Sequence, residues 1–323
     1  MNGLRDLLER HQVIIYFAAV MIAAAVAAFV PGTAVLERVI NTSLALMLFV
    51  TFLQVPLPEL GRAFARIRFL GALIASNFVF MPLLVALLVQ FAPPDPMVRL
   101  GLLLVLLTPC IDYVVTFSKI GRADARLLLA GTPALLAAQM ALLPIYLGLF
   151  LGDASADLVQ IGPFVHAFVW LIAIPLALAA VMQLWAARSH AGACVVAGLG
   201  LLPVPATALV LFVVVAAVVP QLGAAIESVL RVVPLFMAFA VAAPVIGWTV
   251  ARVARLDAPA GRAVAFSSAT RNSLVVLPLA LAVPRAVPVL SAIIMTQTMV
   301  ELVSSLIYMR LMPKLGACVM AKG

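Results

Sequence analysis

Charge is in short supply in this sequence. Only 10% of its 323 residues are Asp, Glu, Lys or Arg, against roughly a quarter in an ordinary soluble domain. Too few polar groups remain to cover a water-facing surface, which excludes a soluble globular protein. Cysteine is scarcer still. Cys110, Cys194 and Cys318 are odd in number and far apart, which excludes a disulfide framework and a thiolate metal site and leaves three thiols. The three histidines, His11, His166 and His190, fall at the ends of apolar runs and form no metal constellation. A nucleophile–base pair, a phosphate-cradling loop, a haem ligand pair and a repeated pore motif are also missing. The reading is therefore neither an enzyme nor a channel, and no cofactor or resident metal is expected.

What is present is hydrocarbon. Apolar residues make up 66% of the chain, gathered into runs of about twenty residues, each long enough to cross ~30 Å of bilayer core at ~1.5 Å per residue. The lipid bilayer is the expected surrounding. The net charge of +8 matches the Lys/Arg excess of loops facing the cytoplasm and does not call for nucleic acid. The first run, after Arg5 and Arg10, reads as a first membrane helix rather than a cleaved leader: Asp6 and Glu9 sit in its flank and a second run follows closely.

The runs predict an all-α integral membrane protein with about ten spans. The first five lie near Val13–Val30, Val39–Val55, Phe69–Phe91, Met97–Ser118 and Arg126–Leu151. The second five lie near Phe164–Trp185, Cys194–Val219, Val233–Val253, Val264–Ala282 and Val287–Leu311. An acidic linker at 153–162 divides the chain into a first repeat, 1–152, and a second, 163–323. Because each block holds an odd number of spans, the second is inverted relative to the first. Charge sorting agrees. With the N-terminus in the cytoplasm, fifteen of the twenty Lys and Arg residues face inward, and only Arg38, Arg99, Arg231 and Arg285 fall outside. Both termini are expected in the cytoplasm, the linker outside, and the protein in the inner (plasma) membrane.

Three charged residues fit no loop: Asp112, Arg271 and Glu301. Each costs roughly 2.5–3.5 kcal/mol to place in hydrocarbon, so each should face protein or water. Two of them mark interruptions. Span four breaks at Pro109-Cys110-Ile111-Asp112, where proline removes a backbone donor and clashes with the turn before it. Span nine breaks at the polar stretch Ser267 to Ser273, which contains Arg271 and Asn272. Interrupted spans at matching places in two inverted halves point to a transporter binding site at the midplane, here near Cys110 and Asn272.

Thr108-Pro109-Cys110, then Gly121 and Asp124, then Gln139 and Pro144, with Glu301 in span ten, resembles the arsenite-permease branch of the bile acid/sodium symporter superfamily. Ser268 to Leu279, with Arg271-Asn272 ahead of Leu277-Pro278, is similar to that superfamily's ninth-helix signature. The resemblance implies a core domain with discontinuous, crossed helices four and nine beside a panel of the other spans. It also implies proton-coupled efflux of arsenite or a related trivalent metalloid, with Cys110 as metalloid ligand and Glu301 as the proton-coupling carboxyl. The sequence departs from the sodium-coupled branch, which has an acidic residue on span nine where Ser267 or Ser268 stands here. Arg271 adds a fixed positive charge, so sodium is the less favoured coupling ion.

Arg271, Asn272, Asp112 and Ser268 join Cys110 as the expected substrate-binding residues. Arg271 has three readings, an ion pair with Asp112, an ion pair with Glu301, or a contact to substrate, and the first is preferred because an unpartnered midplane arginine is hard to retain. The alternative function is a bile-acid-symporter-like carrier of a small organic anion, with Arg271 on the carboxylate.

Overall fold

The computed structural model describes residues 2–54, 66–111, 113–152, 166, 169–220, 225–281, 283 and 289–316. All regular structure among them is helical. In chain order the helices are α1 (Asn2–Phe29), α2 (Glu37–Phe52), α3 (Ile67–Ala75), α4 (Met81–Val89), α5 (Pro96–Leu106), α6 (Val114–Ile120) and α7 (Ala125–Leu151). They continue with α8 (Ile174–Arg188), α9 (His190–Leu199), α10 (Pro203–Val218), α11 (Ile226–Val253), α12 (Ala258–Ala269), α13 (Ser273–Leu281) and α14 (Val289–Leu311). Among the described residues, six stretches are long and apolar enough to cross a membrane singly: Gly3–Phe29, Thr33–Phe52, Ile67–Val89, Ala125–Leu151, Ile226–Val253 and Val289–Lys314. The pair α9 and α10 passes together, bent by 41°. The linker 153–162, Asp112 and Cys318 lie outside the described residues.

Large apolar side chains such as Ile14, Phe29, Leu149 and Val241 stand exposed. On a soluble protein such a surface would be an association hazard; against lipid it is the matching surface.

The chain forms two compact units, and each draws on both halves of the sequence. The first comprises Met1–Val55, Val159–Ile226 and Leu277–Ala292; the second comprises Pro56–Leu158, Glu227–Val276 and Ile293–Gly323. In the first, α10 packs on α1 and α2, and α8 packs on α2 and α9. Gln183 closes the end of α2 by donating to the carbonyls of Phe52 (3.1 Å) and Leu53 (3.3 Å), which a finished helix leaves without intrahelical donors.

The second unit contains both interruptions. Asp95 opens α5 by accepting from the amides of Met97 (2.8 Å) and Val98 (3.2 Å), and Asp124 opens α7 by accepting from Leu127 (3.1 Å), both in the N-cap manner. The Asp124 amide also donates to Pro259 at the start of α12 (3.0 Å). Gly121, at the end of α6, lies under the Phe266 ring; a Cβ there would come within 2.3 Å of it. Gly121 and Asp124, singled out in the sequence, thus fix how the α6–α7 corner meets α12.

Two prolines are handled by one device. Pro82 offers no N–H to the carbonyl of Phe78 four residues back, a π-helical turn at Ser76–Phe80 joins α3 to α4, and the Tyr146 hydroxyl of α7 donates to that carbonyl. Pro244, inside α11, leaves the carbonyl of Ala240 in the same position, and the Tyr308 hydroxyl of α14 donates to it. The two sets stand 162 positions apart (244 − 82 and 308 − 146).

Candidate functional site

The same 162-position step relates the two interruptions: Thr108-Pro109-Cys110 answers to Thr270-Arg271-Asn272. Each threonine ends its half-helix by turning its hydroxyl back to the carbonyl four residues earlier, Thr108 to Leu104 (2.9 Å) and Thr270 to Phe266 (2.8 Å). Beyond them the chain is extended, and the two segments pair antiparallel. The Cys110 amide donates to Thr270 O (3.1 Å) and the Asn272 amide donates to Thr108 O (2.8 Å), so that Pro109 and Arg271 face each other in an isolated bridge. Unwound backbone is tolerated at membrane depth only where its polar groups are met. Here each break meets the other's.

Arg271 is fully buried. Its guanidinium donates to Asn77 Oδ1 (2.9 Å), to the carbonyls of Ser267 (2.9 Å) and Ser268, and to Leu106 O (3.3 Å), and it lies 5.2 Å from the Phe239 ring centroid. Ser267 and Ser268 are in the last turn of α12 and Leu106 ends α5, so the negative ends of two helix dipoles aim at one cation. The aromatic face adds a cation–π attraction. Nε of Arg271 has no partner among the described residues.

Glu301 stands on the other side of the arginine. Its carboxylate accepts from the Arg271 backbone amide (2.6 Å), from Gln297 Nε2 (2.6 Å) and from the Tyr113 hydroxyl (2.8 Å), and Ser273 donates in turn to Gln297 Oε1. Among the described residues the ion pairs are Arg5–Glu9 and Arg231–Glu227, both at the surface. Of the partners expected for Arg271, Glu301 therefore meets its main chain rather than its guanidinium, because the guanidinium is turned into the carbonyl cage. Asp112 lies outside the described residues.

The other expected residues take these places. Cys110 is a buried thiol within the paired segment. Asn272 is buried, its Oδ1 accepting from the amide of Val275 (3.3 Å) at the start of α13, while Nδ2 has no partner among the described residues. The Ser268 hydroxyl ties α12 to the π turn, bonding Ser76 Oγ (2.6 Å) and donating to Val264 O (2.9 Å). It sits over Gly247, where a Cβ would come within 2.5 Å of its oxygen. Sequence reasoning missed Ser76 and Asn77. Asn77 accepts from Arg271 and donates to Ser267 Oγ (3.0 Å) and Leu73 O (3.0 Å). Two adjacent polar residues six and five positions before Pro82, in an otherwise apolar span, were the available signal. Ser273 was read as the end of the polar stretch and Gln297 as part of a polar patch beside Glu301, but neither they nor Tyr113 were given a place in the site.

Two half-helices ending head to head, an antiparallel bridge between their unwound ends and a buried cation beside a carboxylate make a polar centre inside an apolar bundle. This is how secondary transporters build a midplane site. The chain belongs to the Sodium Bile acid symporter family, whose model matches residues 42–227, more than half of the 323, and whose members are transporters rather than enzymes. The matched segment includes Thr108 to Cys110 and stops short of α12 to α14. No curated protein matches the chain.

Proposed function

We propose that this protein is a proton-coupled secondary transporter that exports arsenite or a related trivalent metalloid, with Cys110 binding the metalloid and Glu301 carrying the proton. The observation that carries this reading is the direction of the Arg271 guanidinium. It is turned into carbonyl and amide oxygens, the kind of oxygen set that holds a bound cation. A cation tethered there makes sodium unnecessary, and it leaves a carboxylate substrate only the Nε–H and one Nη1–H of the guanidinium. Trivalent arsenic in neutral water is an uncharged trihydroxide, which needs no free cation but favours soft sulfur. Cys110 and the Asn272 amide supply the thiol and a donor. Arg271 and the Ser268 hydroxyl support the site, and Asp112, two positions after Cys110 in the sequence, completes the proposed set.

The same reading has ten crossings in two inverted five-span halves, 1–152 and 163–323, with 153–162 outside and both termini in the cytoplasm of the inner membrane. The constant 162-position step supports it: it relates the two breaks, the two proline–tyrosine contacts, and the starts of α5 and α12 at 96 and 258. A second reading, sodium-linked carriage of a small organic anion, is favoured by the family's description and by the unpartnered Arg271 Nε.

Expression in an efflux-deficient bacterium separates the two. The wild type should protect against arsenite and Cys110→Ser should not. A wild type that gives no protection overturns the metalloid reading in favour of the anion.

A further inference from the structure

The 162-position step pairs Glu301 with Gln139 (301 − 139), and the two differ in what meets them. Glu301 is saturated by three protein donors. Gln139, on the buried stripe of α7 with Leu128, Leu135, Leu136 and Leu143, is 1% exposed, yet neither Oε1 nor Nε2 has a partner among the described residues. The reason is legible in the chain. Where Arg271 gives Glu301 its backbone N–H, the matching residue is Pro109, which has none. Where Gln297 gives an amide, the matching residue is Leu135. At these two steps the first half lacks the donors that the second half has. Asn272 Nδ2, whose matching position is Cys110, is likewise buried without a partner among the described residues. A buried amide left unsatisfied costs about 1–3 kcal/mol, so this one is open to a polar group from outside the chain.

Resting on the metalloid reading above, we propose that Gln139 is a substrate-binding residue that takes the hydroxyl groups of a thiol-bound, uncharged trivalent metalloid. The Cys110 sulfur forms a bond to arsenic and one As–O bond breaks; the departing hydroxyl leaves as water with the thiol proton, with no change of oxidation state. Two hydroxyls remain on the arsenic. Gln139 Oε1 accepts from one and Nε2 donates to the other, the paired geometry of a side-chain amide. Glutamine suits this ligand better than the glutamate of the other half, because a carboxylate has only acceptors to offer.

The test is binding to purified full-length protein in detergent, measured calorimetrically with two probes, arsenite and phenylarsine oxide, for the wild type and Gln139→Leu. Leucine removes the unpaired amide and keeps the volume, so the variant should melt at or above the wild-type temperature. Its arsenite affinity should fall about tenfold, the loss of one to two modest hydrogen bonds, while phenylarsine oxide, which keeps a single hydroxyl after thiol exchange, should weaken less. Equal arsenite affinity in the two proteins overturns the role of Gln139 and leaves the metalloid reading standing. A wild type that binds neither arsenical overturns both. A Gln139→Leu protein that melts well below the wild type, with both probes weakened equally, shows a structural glutamine and overturns the proposal.

Discussion

The two interruptions share a backbone and differ in chemistry. Each ends a half-helix at a threonine, runs extended for two residues and takes one hydrogen bond from the other. One carries proline, cysteine and, on the neighbouring helix, glutamine. The other carries arginine, asparagine and glutamate at the same steps. In the second half the cation and the anion are both met by protein. The first half is uncharged at the matching positions, and its glutamine amide meets no partner among the described residues. The backbone device builds the crossing; the side chains divide the work, charge on one side and ligand on the other.

The sharpest way to break this comparison is to remove the cation. Arg271→Leu leaves the carbonyls of Leu106, Ser267 and Ser268 and the Asn77 amide oxygen without their donor, and should cost on the order of 3–5 kcal/mol, as for breaking other buried charged networks. Thermal unfolding in detergent reads this directly, and a variant as stable as wild type would show that the cage does not need its charge. Next is Glu301→Gln. An amide nitrogen there would face the donors that the carboxylate now accepts, so a loss of about 1–3 kcal/mol should accompany the loss of transport driven by a pH gradient in proteoliposomes. Retained pH-driven transport would remove Glu301 from coupling.

Smaller and matched effects are expected at the two prolines. Tyr146→Phe and Tyr308→Phe each orphan one carbonyl, Phe78 O or Ala240 O, and each should cost about 1 kcal/mol or somewhat more. The two melting shifts should agree; a shift at only one would break the equivalence of the halves. Smallest in stability is Cys110→Ser, a near-isosteric change expected to leave the melting temperature within a few degrees while abolishing metalloid protection.

The six long apolar stretches among the described residues were readable because length and hydropathy decide them. The interruptions were readable because proline and a run of polar side chains are both costly inside a continuous membrane helix. The partners were not. Side-chain patterns do not reveal that Glu301 would meet the backbone of Arg271, nor that the arginine would be held by carbonyls, since every residue carries those groups and only the fold selects them. Asn77 went unseen because one polar residue in an apolar helix looks like interhelical glue until a π turn aims it. The 162-position step was hidden because Thr-Pro-Cys and Thr-Arg-Asn share one letter, and the likeness becomes visible only in their reciprocal hydrogen bonds.

The most direct test of the central claim is arsenite flux in proteoliposomes under separately imposed proton and sodium gradients, for the wild type and Cys110→Ser. The account predicts flux that follows the proton gradient, ignores the sodium gradient and vanishes with Cys110→Ser. Flux that follows sodium, or that is unchanged in Cys110→Ser, would contradict it.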